Sequence, residues 1–398
     1  MRRITGSAAI LTPMRISSIR APLAAVLATA VAAVTAGCAA LAPDPPDTVE
    51  APELLEPVSF EPRTPLQTRR FELDDPSQRV VGELQVIRTR DDDTFVDIAR
   101  AYNLGFEELV AANPDVDPWL PGEGAEIVLP TRFILPDAPL EGIVINTAQM
   151  RLFWYPEREE GDPVVVYTHP IGIGRIGRET PTGEATVIDK ATDPTWYPPA
   201  SVRREHAEKG DPLPAVVPPG PDNPLGRHVF RLSMPSYLIH GTNKPPGVGM
   251  RVSAGCVRMF PEDIEALFPH IGRGTPVHIV NQPLTAGWHG DQLYVDAHPL
   301  LEEDDRDAER LIVATVERAM ALAGQPLGTV DFSRAAALLE DGQGLALPVL
   351  RTSPGAAHHV AAARRIENII EGHSPVDADE LAAEVDGVAR AGGSGGHD

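Results

Sequence analysis

The feature that most constrains this chain is a pair of reactive side chains, each placed next to a short apolar segment. His240 ends one such segment and is followed by Gly241. Sixteen residues further on, Cys256 follows Gly255, and Arg258 lies two positions beyond it. A thiolate nucleophile needs a nearby base and N–H donors that face the developing oxyanion. A histidine at a strand end and a cysteine in a glycine-containing turn supply both, so the pattern favours acyl transfer to a cysteine.

The residues around this pair suit the same chemistry. Gly255 lets the backbone come close to a substrate carbonyl. Arg258 can bind a substrate carboxylate through two hydrogen bonds and raise the thiolate fraction of Cys256. A lone cysteine is more often buried and inert, and a lone histidine is more often structural. Their combination favours catalysis, whereas five other histidines lack this context and are interpreted as structural: His169, His206, His228, His270 and His278.

Residues 140–283 show the pattern of a mainly β domain. Two apolar runs, 142–146 and 150–155, flank a short turn and predict a hairpin, and 164–171 predicts another strand. The segment GIGRIG at 172–177 resembles a nucleotide loop, but a turn follows it where that loop needs a helix, so nucleotide binding is not predicted. The proline-dense stretch 193–223 predicts a long surface loop or lid.

These segments together resemble the L,D-transpeptidase catalytic domain, also called the YkuD domain. The resemblance covers about 140 residues and rests on GIGRIGRETPTGEATV (172–187), NPLGRHVFRL (223–232), YLIHGTNKPPGVGMRVSAGCVRMFPEDI (237–264) and GTPV (274–277). It implies that Cys256 is the nucleophile and His240 the general base and acid. Supporting roles at the substrate or oxyanion fall on Ser253, Gly255, Arg258, Gly241 and Thr242. The chain departs from many members at Ala254, where they have histidine, which leaves open what orients His240.

The resemblance also implies a fold and a reaction. The expected fold is multidomain, with a mainly β catalytic domain at 138–283, a β-sandwich or barrel-like structure with short helices. The expected donor is a peptidoglycan tetrapeptide stem, attacked at the meso-diaminopimelate carbonyl with release of D-Ala. The acceptor is left open between a second diaminopimelate amine, a lysine of an envelope protein, and water. No metal or organic cofactor is expected. A catalytically silent wall-binding scaffold is the competing interpretation.

A small module is predicted before the catalytic domain, at residues 79–132. Its pattern is a short strand, a helix with its N-cap supplied by Asp91-Asp92-Asp93-Thr94, a second helix stopped by Asn113-Pro114, and a closing strand. The order βααβ, with DDTFVDIA, NLGFEELVAANP and a final IVLP, resembles a LysM domain, and this resemblance implies binding to peptidoglycan glycan. The alternative is a helical hairpin that only packs against its neighbour.

The N-terminal residues predict a secreted lipoprotein. Arginines precede the apolar run 21–37, which is short for a permanent membrane span and is typical of a signal segment, 1–37. The run ends in Thr-Ala-Gly-Cys, which resembles a bacterial lipobox with Cys38 as the acylated residue. Residues 38–78 are rich in proline and acidic residues and predict a flexible tether. The expected location is the periplasm of a Gram-negative bacterium, with a lipid anchor in the outer membrane.

Composition excludes several other classes. The chain has 57 Asp and Glu against 34 Lys and Arg, and this net charge of −23 argues against nucleic acid as a partner. Two cysteines exclude a disulfide-rich scaffold and a multi-cysteine zinc module. The remaining segment, 284–398, is acidic. It is predicted to be partly helical, at 311–322 and 361–370, and to end in a flexible acidic tail without a specific docking role.

Overall fold

The computed structural model describes residues 63–371 of the 398-residue chain. Within that range, no helix combines the length and the apolar character that a membrane crossing requires. The predicted signal segment 1–37, the predicted lipidation site Cys38 and the first part of the predicted tether lie outside the described residues. The glycine-rich end of the chain also lies outside them.

The helices and strands follow one another along three parts of the chain. The N-terminal part contains β1 (Arg70–Glu72), β2 (Val80–Gly82), β3 (Gln85–Arg88), α1 (Phe95–Ala101), α2 (Phe106–Ala112), β4 (Glu126–Leu129) and β5 (Arg132–Ile134). The central part contains β6 (Gly142–Asn146), β7 (Arg151–Tyr155), β8 (Val165–Pro170), β9 (Ile173–Gly174), β10 (Gly183–Thr192), α3 (Ala200–Glu208), β11 (His228–Leu232), β12 (Leu238–His240), β13 (Arg251–Ser253), β14 (Val257–Arg258), α4 (Pro261–Leu267) and β15 (Pro276–Val280). The C-terminal part contains β16 (Leu284–His289), β17 (Gln292–Ala297), α5 (Ala308–Leu322), α6 (Phe332–Asp341), β18 (Leu347–Pro348), α7 (Ala356–Ala361) and β19 (Arg364–Arg365).

A nine-stranded sheet organises the central part, in the order β1-β8-β7-β6-β15-β10-β11-β12-β14. Most neighbours are antiparallel, but β15 pairs in parallel with β6 and β14 pairs in parallel with β12. The predicted hairpin is confirmed as β6 and β7, which meet over their full lengths. One face of these strands lies in the core of the catalytic part, which includes Ile143, Leu152, Ile171, Val187, Phe230, Ile239, Val257 and Ile279. The mainly β character predicted for this region is confirmed.

The small module has the predicted element order β3-α1-α2-β4. Thr94 caps α1 by accepting a hydrogen bond from the backbone N–H of Asp97. Asn113 ends α2 and links it to β4, because its side chain donates to the carbonyls of Leu109 and Val128 and accepts from the Val128 N–H. The Asn-Pro sequence therefore both stops the helix and fixes the closing strand.

The module packs on the second face of the central sheet. The residues Val144, Phe153, Tyr155, Val164 and Val166 of this face share one apolar core with the module helices. All five residues of β7 are buried, since successive side chains point to opposite faces and both faces are covered. The module and the central sheet thus share one apolar core. The run RLFWY of β7 contributes to this core.

A buried arginine lies in this shared core. The Arg151 side chain is 1% exposed, and its Nη2 lies 2.6 Å from Glu108 Oε2. The same guanidinium donates to the Asn103 carbonyl and the Thr168 hydroxyl, both at 3.2 Å, and lies 4.0 Å from the Phe133 ring centroid. Arg151 therefore ties the catalytic sheet to the module helices.

The predicted tether extends too far at its C-terminal end. Arg70–Glu72 forms the edge strand β1, which pairs with β8, and Leu73 is buried. The alternating apolar residues Phe71 and Leu73 contact the module core. These contacts order the segment despite the proline-rich composition around it. The flexible interpretation therefore does not hold for residues 70–73.

The C-terminal extension is also more ordered than predicted. Strands β16, β17 and β18 form a sheet covered by α5 and α6, with its own apolar core. The helix predicted at 311–322 is confirmed within α5, but the helix predicted at 361–370 is wrong. There α7 ends at Ala361 and β19 pairs in parallel with β3 of the module. Ile366 is fully buried, so sheet pairing and burial override the helix propensity of the alanines.

Candidate active site

Two paired strands carry the predicted catalytic residues. His240 is the last residue of β12, and Cys256 comes directly before β14. The strands run in parallel with Ile239 opposite Val257 and His240 opposite Arg258. This register places Cys256 beside the start of β12, one position before the Ile239–Val257 pair. The sixteen-residue separation in the sequence thus becomes an offset of two positions across one pair of strands.

His240 is buried and held in one orientation. The residue is 5% exposed, and its ring Nδ1 lies 2.5 Å from the carbonyl oxygen of Gly241. A carbonyl oxygen only accepts, so Nδ1 carries the hydrogen and Nε2 keeps its lone pair. Burial and the nearby Arg258 charge lower the pKa of His240 to about 4, against the opposing effect of the Gly241 hydrogen bond. The imidazole is therefore a neutral base at physiological pH.

Cys256 is a partly exposed thiol that forms no disulfide within residues 63–371. Its Sγ lies 3.7 Å from the Ser236 carbonyl oxygen, to which the S–H donates. Burial raises the pKa of Cys256, and this effect outweighs a backbone hydrogen bond at Leu238 and the Arg258 charge, which both lower it. At rest Cys256 is consequently a thiol and His240 a neutral imidazole.

Ser253 shapes the turn that carries Cys256. Its hydroxyl donates to the Cys256 carbonyl at 2.5 Å and accepts from the Gly255 N–H at 3.1 Å. Gly255 has φ +105°, and a Cβ at this position would lie 2.9 Å from the Tyr237 ring. Only glycine fits this conformation and space. One consequence is that the Gly255 N–H is already used within the turn and does not face a substrate oxyanion.

The other support residues lie around His240. Gly241 contributes its carbonyl to the imidazole, and its N–H donates to the His228 carbonyl. Thr242 is 4% exposed, and its hydroxyl accepts from the Lys244 N–H, so it shapes the loop after β12. Arg258 is half-buried and has backbone hydrogen bonds with Gly172 in both directions. Its charge affects His240 and Cys256 at once.

Sequence reasoning missed a second segment of the site, the glycine-rich loop 172–180. Strand β9 pairs in parallel with β13, and the Arg175 N–H donates to the Ser253 carbonyl at 3.0 Å. The Thr180 hydroxyl donates to the Gly255 carbonyl and accepts from the Gly174 N–H. The loop therefore holds the cysteine turn through hydrogen bonds to the carbonyls of Ser253 and Gly255. In the sequence, the run of glycines is the feature that indicates a special backbone role for this loop. The absence of a following helix argued against nucleotide binding but did not indicate contact with the cysteine turn.

Position 254 lies at the tip of the cysteine turn. Ala254 is exposed, so the position where many family members have histidine faces solvent. A side chain at this tip is therefore not needed to complete the packing of the turn.

No metal site accompanies the predicted catalytic pair in the described part of the chain. Over residues 63–371, no group of three or more His, Cys, Asp or Glu side chains is arranged to hold a metal ion. The second cysteine, Cys38, lies outside the described residues.

Comparisons with known proteins identify the family of this chain. The model of the L,D-transpeptidase catalytic domain, YkuD, matches residues 141–279. The protein "Probable L,D-transpeptidase YcfS" of Escherichia coli is 43% identical over 263 residues, which are 64% of this chain and 81% of that protein. "Probable L,D-transpeptidase ErfK/SrfK" of Salmonella typhimurium is 37% identical over 294 residues, 72% of this chain and 92% of that protein. The chain belongs to the L,D-transpeptidase family, and the predicted YkuD domain is confirmed.

Proposed function

We propose that this protein transfers an acyl group from a peptidoglycan tetrapeptide stem to an amine through a thioester on Cys256. The observation that carries the proposal is the pair formed by Cys256 and a buried neutral His240, whose Nδ1–H is fixed by the Gly241 carbonyl. A wall-binding scaffold would not need a histidine held in this tautomer beside a free thiol. Catalysis is therefore the better explanation of the site.

The first half of the reaction forms the thioester. His240 Nε2 takes the Cys256 proton as sulfur attacks the carbonyl at the L-centre of meso-diaminopimelate. The raised pKa of Cys256 and the lowered pKa of His240 disfavour an ion pair before substrate binds. Proton transfer is thus coupled to attack. The tetrahedral intermediate then expels D-Ala, whose nitrogen receives the proton from His240.

Oxyanion stabilisation falls on the cysteine turn. Because the Gly255 N–H donates to Ser253, we assign the oxyanion contact to the next backbone donor of the turn, the Cys256 N–H. The Arg258 guanidinium lies close enough to act on both reacting groups, so it also offsets negative charge as the intermediate forms. Ser253 and Thr180 hold the turn in the conformation that presents this N–H.

The second half of the reaction resolves the thioester. An acceptor amine attacks the acyl carbon and gives its proton to His240, and the thiolate leaves and regains that proton. A diaminopimelate acceptor gives a 3→3 cross-link, and a lysine of an envelope protein gives an anchored protein. Water as acceptor makes the enzyme a carboxypeptidase, or a hydrolase of a protein–wall bond, which is the second candidate function.

Two measurements test the proposal. After incubation with a carbapenem, intact-mass analysis should show one covalent adduct on the wild-type protein and none on Cys256→Ala. An unmodified wild-type protein would favour the silent scaffold. A purified tetrapeptide muropeptide should then be incubated with and without an added amine. Amine-dependent products indicate a transpeptidase, and a tripeptide product in both cases indicates a carboxypeptidase.

We further infer that the βααβ module binds wall glycan. The LysM-like order of its elements supports this, as does Leu120, a 77% exposed leucine in the loop between α2 and β4. The shared core with the catalytic sheet supports the alternative of a purely structural module. The test is co-sedimentation of the Cys256→Ala protein with purified sacculi. Leu120→Ser should weaken it, and Leu322→Ser, at an 81% exposed site of the extension, serves as the matched control.

We also propose that the protein is a periplasmic lipoprotein anchored through Cys38. The lipobox-like sequence at the end of the apolar segment 21–37 supports this location. Several acyl chains on one cysteine give stable membrane attachment. Cys38→Ala should move the protein from the membrane fraction to the soluble periplasmic fraction, and equal membrane retention of both forms would contradict the anchor.

A further inference from the structure

A cluster of charged side chains beside the catalytic turn takes no part in the proposed acyl transfer. Arg175 and Arg178 lie in the turn between β9 and β10, and Glu205 lies on α3. Arg175 Nη2 is 2.5 Å from both carboxylate oxygens of Glu205, and Arg178 Nη2 is 3.8 Å from Oε2. Lys209 also donates to Glu205 at 3.3 Å. One carboxylate is therefore surrounded by three cations.

The two arginines are fixed to the turn that carries the nucleophile. Arg175 donates from its backbone N–H and from Nη1 to the Ser253 carbonyl, at 3.0 and 3.3 Å. The Arg178 carbonyl oxygen lies 3.3 Å from the place that a Cβ on Gly255 would take. The guanidinium groups thus belong to a segment in direct contact with the cysteine turn. A ligand bound to them lies next to the reacting centre.

The cluster can exchange one carboxylate for another. The side chains of Arg175, Arg178 and Glu205 are 24%, 35% and 26% exposed, so solvent and solutes reach them. Burial raises the pKa of Glu205, but Arg175 and Lys209 outweigh this effect and keep the pKa low, so Glu205 is an anion. Solvent-accessible ion pairs contribute little net free energy, and a second carboxylate therefore competes on nearly equal terms. Arginine also matches carboxylate geometry through two parallel N–H donors.

We propose that Arg175 and Arg178 bind a carboxylate of the donor stem peptide, and that Glu205 occupies this site until the donor displaces it. The inference rests on the proposed function, because it assigns the substrate contact of the same site. A tetrapeptide stem offers three carboxylates, on its glutamate, on diaminopimelate and on the terminal D-Ala. Each of the three offers the same carboxylate group to the arginines, and the experiment identifies which one is bound.

The test measures binding of a synthetic tetrapeptide stem by titration calorimetry to the full chain carrying Cys256→Ala. Adding Arg178→Gln should raise Kd about tenfold, the effect expected for one charge-assisted hydrogen bond. Arg178→Lys should recover part of this loss. Glu205→Gln should lower Kd by roughly threefold, since it removes the competing carboxylate. Arg204→Gln, an exposed position on the same helix, is the matched control and should leave Kd unchanged.

Three further peptides, each amidated at one carboxylate, identify the group that is bound. For one of them the Arg178→Gln effect should disappear. Equal Kd values for Arg178→Gln and Arg204→Gln would overturn the carboxylate site, and so would an Arg178 effect that persists with all three amides. Release of D-Ala by the protein with Cys256 intact is measured separately. Its absence would contradict the proposed function, while Arg178-dependent binding would still establish the site.

Discussion

His240 and Arg258 are directly opposite each other in the parallel pair of β12 and β14. A fixed positive charge therefore lies beside the buried imidazole and, with burial, keeps it neutral. The same charge favours the thiolate form of Cys256. Arg258 thus acts to lower the pKa values of His240 and Cys256 together, and in the proposed mechanism its position opposite His240 affects when the proton is transferred.

The first prediction concerns the pH dependence of Cys256 reactivity. Because the pKa of the thiol is raised and the pKa of His240 is about 4, both groups are uncharged at neutral pH in the absence of substrate. The rate of alkylation by iodoacetamide, followed by intact mass, should rise with pH throughout about pH 6–9. A plateau within this range would indicate a pre-formed thiolate–imidazolium pair and contradict the prediction.

The second prediction separates the charge of Arg258 from its shape. Removing the charge in Arg258→Gln raises the pKa values of both Cys256 and His240, whereas Arg258→Lys retains most of its effect. At about pH 8 the Gln variant should be alkylated about tenfold more slowly, which corresponds to one pKa unit. The control is Arg231→Gln, which removes an exposed arginine that lies 3.6 Å from Asp189. Similar rates for the Gln and Lys variants of Arg258 would argue against an electrostatic role.

The third prediction tests the conformation of the cysteine turn. Gly255→Ala forces a side chain into φ +105° and against the Tyr237 ring, and this strain costs about 1–3 kcal/mol. The turn must shift, and carbapenem acylation should slow about a hundredfold. Gly274→Ala is the matched control, because Gly274 has φ +94° but an added Cβ would meet no atom within 4 Å. It should lose stability and keep its acylation rate.

The fourth prediction addresses the departure at position 254. Ala254 is exposed, and His240 is already oriented by the Gly241 carbonyl. Ala254→His should therefore change the rate of carbapenem acylation by less than about threefold, as expected for an exposed substitution. A larger increase would mean that the backbone carbonyl does not orient His240 sufficiently by itself.

Sequence reasoning succeeded where the signal was local. The helix and strand order between Gln85 and Leu129 follows from short periodic runs and from the caps Thr94 and Asn113. His240 and Cys256 belong to a compact motif, and the two strands that carry this motif pair directly. In both cases the residues that determine the structure lie within a few dozen positions of one another.

The contacts that were missed connect distant parts of the chain. Thr180 contacts Gly255 across 75 positions, and Arg364 pairs with Gln85 across most of the described chain. Such long-range contacts produce no periodic pattern of apolar residues in the sequence. The alanines before Arg364 even favour a helix. Helix α3, with Glu205, likewise lies within a proline-dense stretch whose composition predicts only a loop. The positions of Thr180, Arg364 and helix α3 follow from tertiary packing.

The last prediction concerns Arg151, through which the module and the catalytic sheet are joined. Arg151→Met leaves Glu108, which is 9% exposed, without its partner in a buried site. Such an uncompensated charge costs about 3–5 kcal/mol, so the free energy of unfolding in urea should fall by this amount. Glu108→Gln keeps the shape of the side chain and should cost less. Arg88→Met removes an ion pair with Glu126 whose side chains are 50% and 45% exposed, and it should cost less than about 1 kcal/mol. Equal losses for Arg151→Met and Arg88→Met would show that the buried pair does not hold the two parts together.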